Sequence, residues 1–336
     1  MEVKRDYISL DNSNCLKGLF AFCVVACHIR AQLAFLNGSF VGQAFTILGY
    51  LSVAVFFFFS GYGLMTSVTN KGESYIKHFP IKRILPFYCN YLIAVAIYIC
   101  VGFIFNKPFD LILLLKSVTF GGTYVAGGWY LQSILYIYII FYLAYRFCKK
   151  SGLHFILLGV LLYTVFCAFV LKSVLHYQSI LAFVLGLYWA KYRNKIDGIF
   201  ASTKSYIALL VSIFVSFCVF LLLGNTYFLV EYIRVPVKML SAVAFVAFVI
   251  MLTMKVRINN YITRKFGIIY FEIYVSHGIF LELYRYKYFY VNNPIFYIIA
   301  VLISTIVFAI LLHYLFSLIN NLFKKDVRSN EFKSQA

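Results

Sequence analysis

The sequence predicts an all-α fold, a polytopic bundle of about ten transmembrane helices. Hydrophobic residues make up 63% of the chain and charged residues only 12%, and the mean hydropathy is +0.88. Soluble domains are roughly half apolar and about a quarter charged, so this composition excludes that class. About 20 apolar residues are needed to cross the hydrocarbon core. The predicted spans are 15–36, 44–66, 84–106, 126–147, 152–172, 176–191, 205–224, 235–254, 266–288 and 295–318.

The spans leave no stretch long enough for a separate soluble domain. The chain shows no internal repeat, no low-complexity tract and no long linker, so a single membrane domain is predicted over 1–336. The polar ends 1–14 and 324–336 are expected to be short, loosely ordered cytoplasmic tails. No cleavable signal peptide is expected, because residues 1–14 precede a full-length span without a small-residue cleavage site. Any chemistry must therefore occur within the bundle or at its mouths.

The distribution of positive charge predicts the orientation of the chain in the membrane. The net charge is +19, which invites an interpretation as a nucleic-acid binder. With the N-terminus inside, however, 22 of the 30 Lys and Arg residues fall on the cytoplasmic side. Such an excess follows the positive-inside rule. We therefore expect both termini in the cytoplasm, the lipid bilayer as a partner, and no nucleic acid.

The eight cysteines show no CxxC pair and no zinc-ligand spacing. Most of them lie within spans, where cysteine packs as a small apolar residue. The sequence therefore predicts no metal site.

Two ionisable residues lie eleven positions apart in the first span. On an α-helix, Lys17 and His28 lie about 20° apart around the axis and about 16 Å apart along it. Ionisable groups within spans are rare and are functional candidates by default. Lys17 is also explained as a side chain that extends to the cytoplasmic headgroups. The alternative for His28 is a neutral imidazole that bonds a backbone carbonyl of a neighbouring helix.

Motifs in the first two spans resemble the integral-membrane acyltransferase-3 family. Lys17 and His28 match the family's basic residue, ten intervening positions and histidine. The second span ends in a run similar to the family's signature of two phenylalanines followed closely by Ser-Gly, here Phe57, Phe58, Ser60 and Gly61. Proteins of this family move acyl groups from a cytoplasmic thioester onto glycans or related acceptors.

Further along the chain the resemblance is partial. Ile81-Lys-Arg-Ile-Leu-Pro86 is similar to the family's Arg-x-x-Arg segment, but Pro80 occupies the place of the first arginine and only Arg83 matches. Lys82, Lys77 and His78 are candidates to compensate as point charges, since lysine holds phosphate without a bidentate fork. Looser similarities are Gly128-Trp129-Tyr130-Leu131, Phe183-Val-Leu-Gly186, Phe266-Gly267 and Ile273-Tyr-Val-Ser-His277.

The resemblance implies an acyltransferase for groups other than aminoacyl groups, most simply an O-acetyltransferase of the bacterial plasma membrane. Acetyl-CoA or another acyl-CoA is then a consumed co-substrate, and no cofactor is permanently bound. Arg83, Lys82 and Lys17 are the predicted donor-binding residues, and the acceptor is a cell-surface or lipid-linked polysaccharide. His28 is the predicted general base, with direct acylation of its imidazole as the alternative route.

Further candidates lie in the ninth span and at two helix ends. Glu272 and Ser276 form an i,i+4 pair on one helix face. Glu272 is expected either to assist catalysis by orienting an imidazole or to line the acceptor cavity. The structural alternative is an ion pair between Glu272 and an interior Lys or Arg. His277 is assigned to the acceptor or pore lining, against a structural or headgroup-facing position. Ser60 has the same lining role or packs helices, and Trp129 stacks on sugar or belongs to the interfacial belt.

Two other function classes fit a chain of this kind. A polysaccharide flippase or secondary transporter also has many spans and intramembrane charges, but it is expected to show repeated halves or matched broken helices. A membrane-bound O-acyltransferase usually carries its histidine late in the chain, where His277 lies. The acyl chain, the acceptor and the oligomeric state are left open by the sequence.

Overall fold

The computed structural model describes residues 7–225, 230–256, 258 and 260–333, and within them it contains helices and no strand. The all-α prediction is thus confirmed. The helices are α1 Leu10–Ala31, α2 Phe40–Lys77, α3 Leu85–Ile104, α4 Leu111–Val118, α5 Trp129–Cys148, α6 Gly152–Phe166, α7 Leu181–Lys191, α8 Arg193–Ile199, α9 Thr203–Asn225, α10 Glu231–Thr253, α11 Tyr261–Ile268, α12 Tyr270–Leu283 and α13 Pro294–Lys333.

Eight helical segments in the described part of the chain are long and apolar enough to cross a membrane. The bent pair α11 and α12, with an 80° angle between them, makes nine if it counts as one span. The sequence predicted about ten. The difference is the predicted span 176–191, where α7 has only 11 residues. At 1.5 Å per residue α7 is about 16 Å long, about half the thickness of the hydrocarbon core.

The polar ends differ from the prediction of loosely ordered tails. Helix α1 begins at Leu10, and Ser13 and Asn14 are buried. At the other end α13 continues to Lys333. Residues 1–6 and 334–336 lie outside the described residues, and the cytoplasmic position of both ends stays a prediction.

The chain divides into two compact units. The first comprises Met1–Val24, Ala44–Gly72 and Leu153–Ile268, and the second comprises Val25–Gln43, Glu73–Gly152 and Ile269–Ala336. Helix α1 contributes residues to both units. Helix α2 also does so, and its backbone is interrupted at Gly72, where φ is 58°.

In the first unit, glycines allow two close helix crossings. Gly61 of α2 lies directly against the Phe183 carbonyl of α7, and Gly186 of α7 lies against the Phe58 carbonyl. Gly267 of α11 meets the backbone of α1 in the same way. A side chain at these positions would collide with backbone, so the glycines set the distances between helices. The structure therefore supports the packing interpretation of the segment around Ser60.

Tyr7, three residues before the start of α1, is also fixed within the first unit. Tyr7 is 1% exposed, and its hydroxyl donates to Asp197 Oδ1 at 2.8 Å. The same hydroxyl oxygen accepts from Trp189 Nε1 at 3.0 Å. Burial raises the pKa of Tyr7 well above its ordinary value, so the phenol stays a neutral donor.

In the second unit, α12 forms the centre, and it packs against α3 and α13. Its residues from Glu272 to Ile279 are all buried. The long connection between α3 and α5 contains α4 and is tied to α5 by Gln132, whose Nε2 donates to the carbonyls of Lys116 (2.9 Å) and Gly122 (2.8 Å). This unit holds most of the predicted site residues.

Candidate functional site

A fully buried histidine with one satisfied nitrogen lies in α12. His277 is 0% exposed, and its Nδ1 donates to the Tyr274 carbonyl at 2.6 Å. A carbonyl only accepts, so Nδ1 carries the hydrogen and the neutral ring has its lone pair on Nε2. Nε2 is buried and has no hydrogen-bond partner among the described residues. The headgroup-facing interpretation of His277 is therefore wrong.

The imidazole of His28 lies beside this acceptor. The ring centroids of His28 and His277 are 4.9 Å apart, and the ring planes are inclined by 44°. His28 is half-buried near the end of α1. An N–H of His28 that turns toward Nε2 of His277 would satisfy the buried acceptor. The other nitrogen of His28 then carries the lone pair, as a general base requires.

The helix segment around His277 is held by contacts with α3 and with the turn before α5. Tyr274 is 2% exposed, and its hydroxyl donates to the Gly127 carbonyl at 2.7 Å. The Tyr98 hydroxyl donates to the Val275 carbonyl at 2.9 Å. Gly278 lies so close to Tyr98 that a Cβ would not fit. These contacts hold the backbone that positions His277, as a preorganised site requires.

Sequence reasoning did not assign roles to the supporting residues. Tyr274 belongs to the segment Ile273–His277, but nothing in its local sequence shows that its hydroxyl reaches Gly127. Gly278 directly follows this segment, and no sequence pattern marks it as important. Their importance comes from contacts between segments that are distant in sequence.

Glu272 orients an imidazole, but that imidazole belongs to His313. Glu272 Oε1 accepts from His313 Nδ1 at 2.9 Å, and the Glu272 side chain is only 8% exposed. His313 lies in α13 and is the partner of this carboxylate. Ser276 does share the face of Glu272, and its hydroxyl donates to the Glu272 backbone carbonyl at 2.7 Å. A catalytic role for Glu272 stays a prediction.

The predicted donor-binding residues Lys82 and Arg83 are exposed at the start of α3. They belong to a single π-helical turn, Pro80–Ile84, that leads directly into the helix. Pro80, which replaces the first arginine of the family pattern, begins this turn. Turns of this kind are frequent at functional sites. The position leaves both cations accessible, and their role in binding the donor stays a prediction.

The remaining candidates are placed separately. Trp129 is the first residue of α5 and is half-buried, with its ring edge-on to Tyr130 at a centroid distance of 6.4 Å. Lys17 on α1 and Ser60 on α2 belong to the first unit, and both are half-buried. Within the described residues, no three His, Cys, Asp or Glu side chains are grouped so that they could hold a metal ion.

The fold and the site define an all-helical membrane protein in which a half-buried imidazole lies beside a fully buried one. Comparison with known families is consistent with this class: a family model described as an acyltransferase domain matches residues 10–314. The chain belongs to the acyltransferase-3 family. No curated protein and no solved structure matches it.

Proposed function

We propose that this acyltransferase moves an acyl group, acetyl as the simplest case, from cytoplasmic acyl-CoA to a hydroxyl of a cell-surface or lipid-linked polysaccharide. The observation that carries the proposal is the contact between His28 and His277, with ring centroids 4.9 Å apart. A half-buried imidazole with a fixed partner is suited to remove the proton of an attacking hydroxyl. General-base catalysis of this kind contributes about 10²–10⁴-fold.

The chemical step divides the work between the two histidines. His28 takes the proton of the acceptor hydroxyl while the hydroxyl oxygen attacks the thioester carbonyl. The new C–O bond forms, the C–S bond breaks, and the departing thiolate of CoA takes the proton from the His28 imidazolium. His277 is a positioning residue: its Nδ1 is held by the Tyr274 carbonyl, so its Nε2 is the acceptor that sets the tautomer of His28.

The donor is proposed to bind through its phosphates. Arg83 and Lys82 are exposed together in one helical turn, which the predicted topology places on the cytoplasmic side. Guanidinium and ammonium groups hold phosphate through charge-assisted hydrogen bonds. Lys17, on the helix that carries His28, is the third predicted cation. The acyl-CoA is consumed, so the proposal requires no permanently bound cofactor.

The setting of the reaction follows from the membrane fold. Helices that are long enough to span a bilayer place the protein in a membrane, and we propose the bacterial plasma membrane. There the acyl-CoA is available on one side and the glycan on the other. The excess of basic residues then reflects topology.

The test is the base-labile acyl ester content of surface glycan in a deletion strain. The strain is complemented with wild type, His28→Ala, His277→Ala or His277→Asn, and the amount of each protein in the membrane is checked. The exposed His154 supplies the matched control His154→Ala. We expect ester with wild type and the control, none with His28→Ala, and little with His277→Ala.

The asparagine variant separates positioning from packing. Its side-chain oxygen can still accept from His28, so His277→Asn should recover part of the rate and shift the pH–rate profile. Normal ester content with His28→Ala would overturn the mechanism. Unchanged ester together with altered glycan export would favour the alternative, a polysaccharide flippase or secondary transporter.

A further inference from the structure

The end of α1 is capped by a guanidinium from a distant segment. The last carbonyls of a helix have no partner within it, and an arginine side chain can donate to them. Arg285, in the turn after α12, donates from Nη2 to the carbonyl of Gln32, the residue directly after α1, at 3.1 Å. Its Nη1 donates to the Val291 carbonyl at 3.0 Å. Arg285 therefore joins the end of α1 to the connection between α12 and α13.

A fixed aromatic ring supports this guanidinium. Arg285 Cζ lies 4.1 Å from the centroid of the Tyr297 ring, which is a cation–π contact. Tyr297 is 0% exposed, and its hydroxyl donates to the Leu281 carbonyl of α12 at 3.1 Å. The nearby carboxylate of Glu282 binds Lys107, at 2.6 Å. Backbone carbonyls and a buried ring therefore set the position of Arg285.

The two carbonyls at the ends of this connection each lie one helical turn beyond a histidine of the site. Gln32 follows His28 by four positions, and Leu281 follows His277 by four. Four residues correspond to about 6 Å along a helix. The contacts of Arg285 and Tyr297 thus connect α1 with α12 close to the place where the two imidazole rings meet, with centroids 4.9 Å apart.

We propose that Arg285 is a positioning residue for acyl transfer, because it fixes the end of α1 so that His28 stays beside Nε2 of His277. This inference rests on the proposed function and requires no contact between Arg285 and a substrate. Misplacement of a reacting group by about 1 Å costs about 10²-fold in rate. Loss of Arg285 should therefore lower kcat and leave donor binding, which is assigned to Arg83 and Lys82, unchanged.

Turnover is measured in inverted membrane vesicles of the complemented deletion strain, which supply their own acceptor. Radiolabelled acetyl-CoA is added, and base-labile label in the glycan gives kcat and the KM for the donor, normalised to the amount of protein. Arg285→Gln should lower kcat about 10- to 100-fold and keep KM within about 2-fold. Arg285→Lys keeps the charge but not the two-armed donor, so it should recover only part of the loss.

A second background separates positioning from general damage to the fold. In His277→Ala the imidazole contact is already lost, so addition of Arg285→Gln should lower the residual rate less than about 2-fold. A folding defect would lower the rate by the same factor in both backgrounds. The matched control is Lys107→Gln, which removes an exposed cation bound to Glu282 at the same end of α12 and should change kcat less than about 2-fold.

Hydrogen exchange follows the end of α1 without any reaction. In the full-length protein in nanodiscs, backbone amides of residues 28–33 should exchange about 10-fold or more faster in Arg285→Gln than in wild type, because a charge-assisted hydrogen bond to this end is lost. Lys107→Gln should exchange like wild type in the same peptides. Melting temperatures show whether each variant is folded.

The outcomes separate this inference from the proposed function. Wild-type kcat in Arg285→Gln, equal losses in the wild-type and His277→Ala backgrounds, or unchanged exchange of residues 28–33 would each overturn the positioning role. If wild-type vesicles transfer label through His28 while Arg285→Gln matches them, the proposed function stands and this inference is rejected. If wild-type vesicles transfer no label but the exchange of residues 28–33 depends on Arg285, the proposed function fails and the connection through Arg285 stands.

Discussion

Removal of the His313 imidazole tests how much the buried Glu272 carboxylate depends on its partner. The two side chains meet at 2.9 Å, with Glu272 8% exposed and His313 39% exposed. Loss of a hydrogen-bond partner leaves the buried carboxylate unsatisfied, which costs about 1–3 kcal/mol. Glu272 is almost fully buried, so we expect about 3 kcal/mol for His313→Ala, the upper end of that range.

A second substitution separates the buried charge from lost packing. Glu272→Gln removes the charge but keeps an oxygen that accepts from His313. If the uncompensated carboxylate causes the loss, then the double variant Glu272→Gln/His313→Ala should be more stable than His313→Ala by about 1–2 kcal/mol. A packing defect alone would make the two variants equal or the double variant worse.

The assay is the melting temperature of the full-length protein in nanodiscs. At about 2 °C per kcal/mol for a chain of this size, His313→Ala should melt about 6 °C below wild type. The exposed His154 supplies the control variant His154→Ala, with a shift below about 1 °C. If His313→Ala melts with the wild type, or if the double variant gains nothing over it, the reasoning about the buried carboxylate is refuted.

Three further predictions concern packing, buried polar contacts and surface charge. Gly278→Ala places a Cβ against Tyr98 and should cost about 1–3 kcal/mol, with a lower melting temperature and less thioester turnover. Tyr7→Phe removes the phenol donor to Asp197 and should cost about 1–3 kcal/mol. Burial raises the pKa of Tyr7, so this stabilisation is present below about pH 10 and is lost as the pH rises further. Lys107→Gln breaks an exposed ion pair and should cost less than about 1 kcal/mol in the same melting assay.

Matched variants test each of these predictions. A Cβ at Gly63 meets nothing within 4 Å, so Gly63→Ala should keep both stability and turnover. Tyr261 is 65% exposed, and Tyr261→Phe should melt with the wild type at every pH. Equal losses in a variant and its control, or a loss in Lys107→Gln as large as in His313→Ala, would contradict the assignment of these contacts.

Hydropathy predicted most spans correctly because apolar length is what a bilayer requires. At 176–191 the structure has an α-helix of only 11 residues, and the apolar residues there serve a different purpose. Phe183 and Leu187 of α7 are 0% exposed, so this segment is apolar because it packs inside the protein. In contrast, α9 is mostly exposed within the structure, as expected for a helix that faces lipid. Composition alone does not distinguish these two environments.

The sequence offered His28 and Glu272 as candidates, but it did not predict which residues they contact. His28 and His277 are separated by 249 positions, and their contact depends on how α12 is oriented. No local pattern in the sequence predicts that orientation. His313 lies 41 positions beyond Glu272 in a long apolar helix, and its sequence neighbours gave no sign of a carboxylate partner.

The structure divides the family-like motifs into residues that pack helices and residues suited to chemistry. Gly61, Gly186 and Gly267 lie against the backbones of neighbouring helices, whereas His28 and His277 present their imidazole rings to each other. Lost activity after substitution at Gly61 therefore carries no information about catalysis, since a Cβ there forces two helices apart. Lost activity in His28→Ala with an unchanged melting temperature is evidence for a catalytic role, because the imidazole that is removed is the group that can accept a proton.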